Sequence, residues 1–280
     1  MTIHGLRQKY PLELLLDLFK MPRSNFYYHI KNSAEASKYQ DAQRQISQVY
    51  HQHKGRFGYR RIAMAIRKTG SNLNHKTVLK LMKAMGLKSL IRLKRYRSYK
   101  GQTGKVAPNL LNRDFKSVKP SQKWATDVSE FRVKDKKLFL SPIIDLFNGE
   151  IISYSLSESA NFKQVTQMLK TAFKKIDKPE NLMLHSDQGW QYQMGEYQKM
   201  LKSKGITQSM SRKGNCLDNA VIENFFGTIK SELFYLKKYN STDQLRKDIK
   251  EYIEYYNNER IRLNLNGMSP AQYRAHHTNR

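Results

Sequence analysis

Apolar residues recur at helical spacing through the first third of the chain and at alternate positions through its middle. Leu12 to Phe19 and Ser24 to Ile30 read as two short helices around a Met21-Pro22 turn, with Ser24 as N-cap. After a polar stretch over 33–40, helices are expected from Asp41 to His51, Arg60 to Lys68 and His75 to Met85. In the third, Asn74 is the N-cap, and Val78, Leu81, Met82 and Met85 form an i, i+3, i+4, i+7 stripe. Beyond Pro120 the texture changes. Trp124 to Val133, Leu138 to Leu146 and Ile151 to Leu156 read as strands joined by KDKK and FNGE turns. A helix from Phe162 to Ile176, a strand from Leu182 to Ser186, a helix from Glu196 to Lys204 closed by Gly205, and a strand from Ile206 to Met210 follow. A further helix buries Ile222, Phe225, Phe226, Ile229 and Leu233, and another runs from Thr242 to Asn257. The order β-β-β-α-β-α-β-α is an α/β layout on a mixed sheet.

Charge divides the chain in the same way. The net charge is +28, and residues 1–120 carry 26 Lys and Arg against five Asp and Glu. Between Asp41 and Asp114 there is no acidic residue but there are 18 basic ones, as expected of a surface that faces nucleic acid. The single cysteine, Cys216, excludes an internal disulfide and multi-cysteine zinc sites, so His51 and His53 cannot complete a zinc module. A reducing, cytoplasmic, nucleoid-associated setting is expected, with no membrane span.

Within the basic third, helix, glycine-containing turn and helix form a helix-turn-helix pattern. His75, Lys76, Thr77 and Lys80 would face the major groove, with Arg60 and Arg61 as phosphate anchors. Arg212 and Lys213 are further DNA-binding candidates. Residues 89–120, interleaving basic residues with Tyr96 and Tyr99, read as a linker lying along DNA.

Three acids stand out from the α/β part. Asp127 falls mid-strand in WATDVSEF, Asp187 directly follows the Leu182 to Ser186 strand, and Glu223 lies on a helix, separated from Asp187 by 35 residues. Asn219, Glu223, Phe226 and Lys230 share one stripe of that helix, so Glu223 can look at the strand ends. Singly, these acids could be a strand-edge charge, a turn former before Gly189 and a solvated helix residue. Together they suit two Mg²⁺ or Mn²⁺ ions, about 3.5–4 Å apart, for phosphodiester chemistry. Lys230 is placed to hold a phosphate of the bound strand. Glu130, Asp135 and Glu232 read as exposed, and Arg260 and Arg262 as possible DNA contacts.

WATDVS, LHSDQGWQY and KGNCLDNAVIENFFGTIKSEL resemble the three catalytic blocks of bacterial insertion-sequence transposases of the second-frame (OrfB) type, relatives of retroviral integrases. GRFGYRRI with NHKTVLKLMKAMGL resembles the family's helix-turn-helix, and YIEYYNNERIRLNLNGMSPAQY its C-terminal block, with Arg262 where a histidine is usual. The resemblance implies a ribonuclease H-like fold, with Asp127, Asp187 and Glu223 as catalytic metal ligands and Lys230 as the basic residue one helix face beyond the glutamate. It also implies cleavage and 3′-hydroxyl strand transfer at terminal inverted repeats into target DNA, by a homo-oligomer, with a first-frame helix-turn-helix protein as possible partner. The expected organisation is a helical arm (1–32), a helix-turn-helix domain (41–90), a basic linker (91–120), a catalytic core (121–235) and a C-terminal helix with basic tail (236–280). The rival readings are a non-catalytic DNA-binding regulator and a ribonuclease H-type nuclease.

Overall fold

A computed structural model describes residues 3–28, 39–90, 106–176, 179–212 and 216–278. The chain separates into two compact units, 1–89 and 90–280. Residues 91–105 of the expected linker lie outside the described residues.

The first unit is helical. Short helices α1 (Ile3–Leu6) and α2 (Leu12–Leu18) precede a helical stretch over 23–28. Ser24 lies inside that stretch and does not cap it, because the amide of Phe26 already bonds back to the carbonyl of Pro22. Then come α3 (Gln40–Gln52), α4 (Tyr59–Arg67) and α5 (His75–Ala84). Ile46 from α3, Ile62 and Ile66 from α4, and Val78 and Met82 from α5 form their shared apolar interior. The α3–α4 corner is made by Lys54 (φ 51°) and Gly55 (φ 70°), both left-handed, as HKGRFGY suggested. Asn74 caps α5, its side chain accepting the Lys76 amide at 2.9 Å. No helix among the described residues is long and apolar enough to cross a membrane.

The second unit is built on one mixed sheet of six strands. Strands β1 (Lys123–Thr126) and β2 (Ser129–Val133) both run antiparallel to β3 (Lys136–Asp145), whose other edge pairs with β4 (Ile151–Ser157). On the far side of β1, β5 (Met183–Ser186) and β6 (Thr207–Met210) continue the sheet in parallel. The single strand expected from Trp124 to Val133 is thus interrupted at Asp127-Val128. The register is unbroken, since Trp124 opposite Asp145 and Ser129 opposite Leu140 belong to one continuous pairing with β3.

Alternation along the strands divides the core into two layers. Trp124, Ile143, Ile152 and Leu184 face α6 (Phe162–Phe173) and α7 (Gly195–Ser203). Ala125, Phe131, Leu140, Ile144 and Ile151 face α8 (Ala220–Glu232) and α9 (Thr242–Asn258). The last described element is α10 (Pro270–Thr278), where Arg274 pairs with the buried Asp145 at 2.7 Å. Helices on both faces of a mixed sheet, with the strand order seen here, make the ribonuclease H-like fold that the sequence suggested.

Candidate active site

Asp127 directly follows β1, and Asp187 directly follows β5. These strands are parallel neighbours, with Ala125 opposite His185. Carried two residues on, that register sets Asp127 opposite Asp187, one strand spacing of about 4.8 Å away. Asp127 shares its side of the strand with Ala125, which packs in the α8 layer. Helix α8 is pinned across this place at two points. Asn219 at its start reaches the carbonyl of Thr126 at 3.4 Å, and Lys230 donates to Ser129 Oγ at 2.7 Å. Glu223 lies between those anchors on the same stripe, so it faces the gap where Asp127 sits. Sheet topology and helix phase together bring the three acids to one place.

Electrostatics carries the mark of that gathering. The Asp127 carboxyl is pushed well above its ordinary range by burial and then by the charges of Asp187 and Glu223, against the opposing pull of the Val128 amide and Lys230. Burial likewise raises Asp187, against the Gly189 amide, and raises Glu223, which Asp187 raises further. Burial lowers Lys230, while Asp127 and Glu130 raise it. Among the described residues, no group of three or more His, Cys, Asp or Glu side chains is already drawn close enough to cage an ion. The donor chemistry nevertheless fits a hard divalent cation: three carboxylates of raised proton affinity, with one ammonium to offset them. Asp127 Oδ1 accepts the Val128 amide at 2.7 Å and Asp187 Oδ1 the Gly189 amide at 2.9 Å. Each bond orients its carboxylate through one oxygen.

The surroundings of Asp187 are tightly specified. A Cβ on Gly189 would come within 2.9 Å of Asp187 Oδ1 and 3.2 Å of Gln191 Oε1, so a larger residue there would have to displace those side-chain ends. Gln188 Nε2 donates to the carbonyl of Ser211 at 3.0 Å, and the Ser211 amide donates to the carbonyl of Ser186 at 2.9 Å. The loop leading toward α8 is therefore bonded on both sides of Asp187. Beneath, Tyr192 and Tyr197 meet edge to face at 5.4 Å, fully buried, and both feel the charge of Asp187.

Several candidates from the sequence sit differently. Glu232, expected at the surface, is buried in an ion pair with Arg260 at 2.7 Å and accepts the Tyr252 hydroxyl at 2.8 Å. Arg260 is accordingly buried, not exposed as a DNA contact would be. Arg262 donates to the carbonyl of Asn148 at 3.1 Å. Arg60, His75, Lys76 and Lys80 are exposed, whereas Arg61 is half-buried and lies over the Phe57 ring. Arg212 pairs with Asp218, and Lys213 lies outside the described residues. The sequence reading missed a buried network in which His185 Nδ1 meets Ser209 Oγ at 2.8 Å, with Asp218 beside it. Burial holds this imidazole at about 4, so it is neutral. Ser209 Oγ also accepts the amides of Leu110 and Leu111, which leaves its own proton for His185. The trio is structural, with all three residues fully buried.

Residues 117–216 and 223–277 match integrase core domain families, and residues 38–95 match an HTH-like domain family. The InsK protein of insertion sequence element IS150 from Escherichia coli K12 is 54% identical over 98% of this chain and 96% of its own length. A transposase-like protein of Haemophilus influenzae is 51% identical over 74% of this chain and 95% of its own. Among solved structures, a chain of the simian T-cell lymphotropic virus intasome superposes with a TM-score of 0.50 at 14% identity, covering 82% of this chain and 74% of that one.

Proposed function

Because the chain belongs to the insertion-sequence transposases of the DDE/integrase superfamily, and is a DNA transposase, we propose that Asp127, Asp187 and Glu223 are its catalytic, metal-holding carboxylates. The observation that carries this is their convergence: adjacent parallel strand ends and one face of α8, each carboxyl raised by its surroundings. Two Mg²⁺ or Mn²⁺ ions held among these carboxylates would polarise the phosphoryl oxygens and activate the attacking oxygen. The chain's own residues set the geometry. Val128 and Gly189 amides fix the two aspartates, α8 presents Glu223, and Lys230 is proposed to steady a phosphate of the bound strand.

The proposed chemistry has two steps. Water first cleaves a phosphodiester at the element end and leaves a 3′-hydroxyl. That 3′-oxygen then attacks a target phosphodiester, and the target's own 3′-oxygen leaves as its P–O bond breaks. One phosphodiester forms for each one lost, so the joining step needs no nucleotide cofactor. DNA is the partner; terminal inverted repeats as its recognised sequence, and a homo-oligomer with or without a first-frame helix-turn-helix protein, belong to the proposal. So does the division of labour, with 41–90 reading DNA and 121–235 carrying the chemistry.

Incubating the protein with labelled element-end duplex and Mg²⁺, then resolving products on a denaturing gel, tests this reading. The expected outcome is nicked product followed by longer joined strands, both lost in Glu223→Gln. Unaltered cleavage by that variant would refute the assignment. Hydrolysis without joined product would make the chain a nuclease, and DNA binding without cleavage by the unsubstituted chain would make it a regulator.

A further inference from the structure

Beside the carboxylates lies a second charged constellation that the proposed chemistry does not use. Asp218 is fully buried just ahead of α8. Its Oδ2 accepts Asn109 Nδ2 at 2.9 Å, the Arg212 amide at 3.1 Å and Arg212 Nε at 3.0 Å. Its Oδ1 accepts Arg212 Nη2 at 3.1 Å and Arg113 Nε at 2.9 Å. One carboxylate thus meets two guanidinium ions, leaving one uncompensated positive charge. Arg212 alone already supplies a forked partner, so neutralising Asp218 does not call for Arg113.

The two arginines are half open to solvent, at 45% and 54% of their side-chain surface. Among the described residues, Arg113 makes its one side-chain hydrogen bond through Nε, which leaves its two terminal nitrogens free. Its backbone is held in an uncommon shape. Asn112 (φ 43°) and Arg113 (φ 63°) are consecutive left-handed residues, neither of them glycine. That turn ends a strap bonded to β6 through Ser209 Oγ, with Leu111 buried beneath it. Arg212, for its part, follows Ser211, whose backbone is bonded to the residues on either side of Asp187. The paired guanidiniums are therefore fixed next to the catalytic strand end.

We propose that Arg113 and Arg212, held in place by Asp218, form a phosphate clamp for the DNA strand on its way to the carboxylates. A buried anion that pre-orients two guanidiniums leaves little side-chain freedom to lose when a phosphodiester docks. The inference rests on the reading of the carboxylates as the cleavage site, and its test separates the two.

The full-length chain, without metal, is titrated against a double-stranded oligonucleotide over a range of salt. Arg113→Gln is expected to weaken binding about tenfold and to flatten the log–log salt slope by about 0.9, while Arg113→Lys keeps the slope. Single neutral methylphosphonate linkages are then scanned along the strand. One position should cost unsubstituted protein as much as Arg113→Gln does, and the two losses should not add. A lowered melting temperature with an unchanged salt slope, or losses that add at every linkage, would leave the bridge purely structural and overturn the clamp. Cleavage by Glu223→Gln bears on the carboxylates alone, so either reading can fail without the other.

Discussion

At Gly189 the decisive distance is between a side chain that is not there and one that is. A methyl group would push against Asp187 Oδ1, and a shift on the order of 1 Å in a catalytic group can cost about 100-fold. Gly189→Ala is therefore expected to lower Mg²⁺-dependent cleavage by at least about tenfold, with an unchanged circular dichroism spectrum; full activity would show that Asp187 has room to spare. The raised carboxyls give a second expectation, on stability. Asp127, Asp187 and Glu223 bind protons more firmly in the fold than in the unfolded chain. The metal-free fold therefore loses stability as pH rises from the ordinary carboxylate range, about 4, through their raised values. Asp127→Asn removes one of these charges, so it should raise the melting temperature of metal-free protein at mildly alkaline pH, with the gain vanishing near the ordinary carboxylate range. Mg²⁺ should stabilise the unsubstituted chain and not this variant; equal Mg²⁺ shifts in both would remove Asp127 from the metal site. The convergence of the three acids was legible because helix phase and strand ends follow from residue spacing. The Asp218 bridge was not, because Asn109, Arg113, Arg212 and Asp218 meet through a strap and a loop that have no period.

Strand β1 shows where element reading stops. The side-chain alternation runs through Ala125, Asp127 and Ser129 without a break, and the pairing with β3 keeps one register. At the interruption that register sets Asp127 opposite Pro142, which has no amide to give the ladder, and the Asp127 carboxylate takes the Val128 amide, a local bond that hydrophobic patterning does not record. Helix α8 makes the complementary point. Its apolar stripe was readable, but Glu232 joins the buried side because Arg260 and Tyr252 arrive from later in the chain to meet it. Arg260 also lies 5.5 Å from the Tyr256 ring, so the pair ties α8 to the end of α9. Breaking it strands a buried charge. Arg260→Ala should destabilise the fold by about 3–5 kcal/mol, whereas Glu232→Leu combined with Arg260→Met should restore most of that loss. Urea unfolding checks both, and a mild Arg260→Ala would mean that water reaches Glu232. DNA affinity measured well below the unfolding midpoint should not change, since Arg260 has no surface to offer.

Across the whole chain, the proposed chemistry belongs to one unit while the positive charge is spread over both. The first 120 residues hold a net +21, but they run past the first unit: residues 1–89 carry +13, and residues 90–280, with the three carboxylates, carry +15. That spread was readable from the acid-free run between Asp41 and Asp114, which crosses from one unit into the other. The strap from Val106 to Asp114 was not assigned to the catalytic unit, because Leu111 is its one fully buried apolar residue and polar bonds to Ser209 and Asp218 hold the rest. The charge makes a quantitative demand. On α5, His75, Lys76 and Lys80 are exposed, and Asn74 fixes where that helix begins; Arg60 is exposed on α4. If this face lies on DNA, each lost phosphate contact should reduce the log–log salt slope by about 0.9. Replacing Arg60, Lys76 and Lys80 together by alanine should therefore flatten the slope by up to about 2.7, with a melting temperature close to that of the unsubstituted chain. Fluorescence anisotropy with a labelled duplex reads the slope directly. Should it stay unchanged, the exposed basic face of the first unit is not what meets the phosphates, and the Arg113–Arg212 pair beside the carboxylates would become the leading candidate for that role.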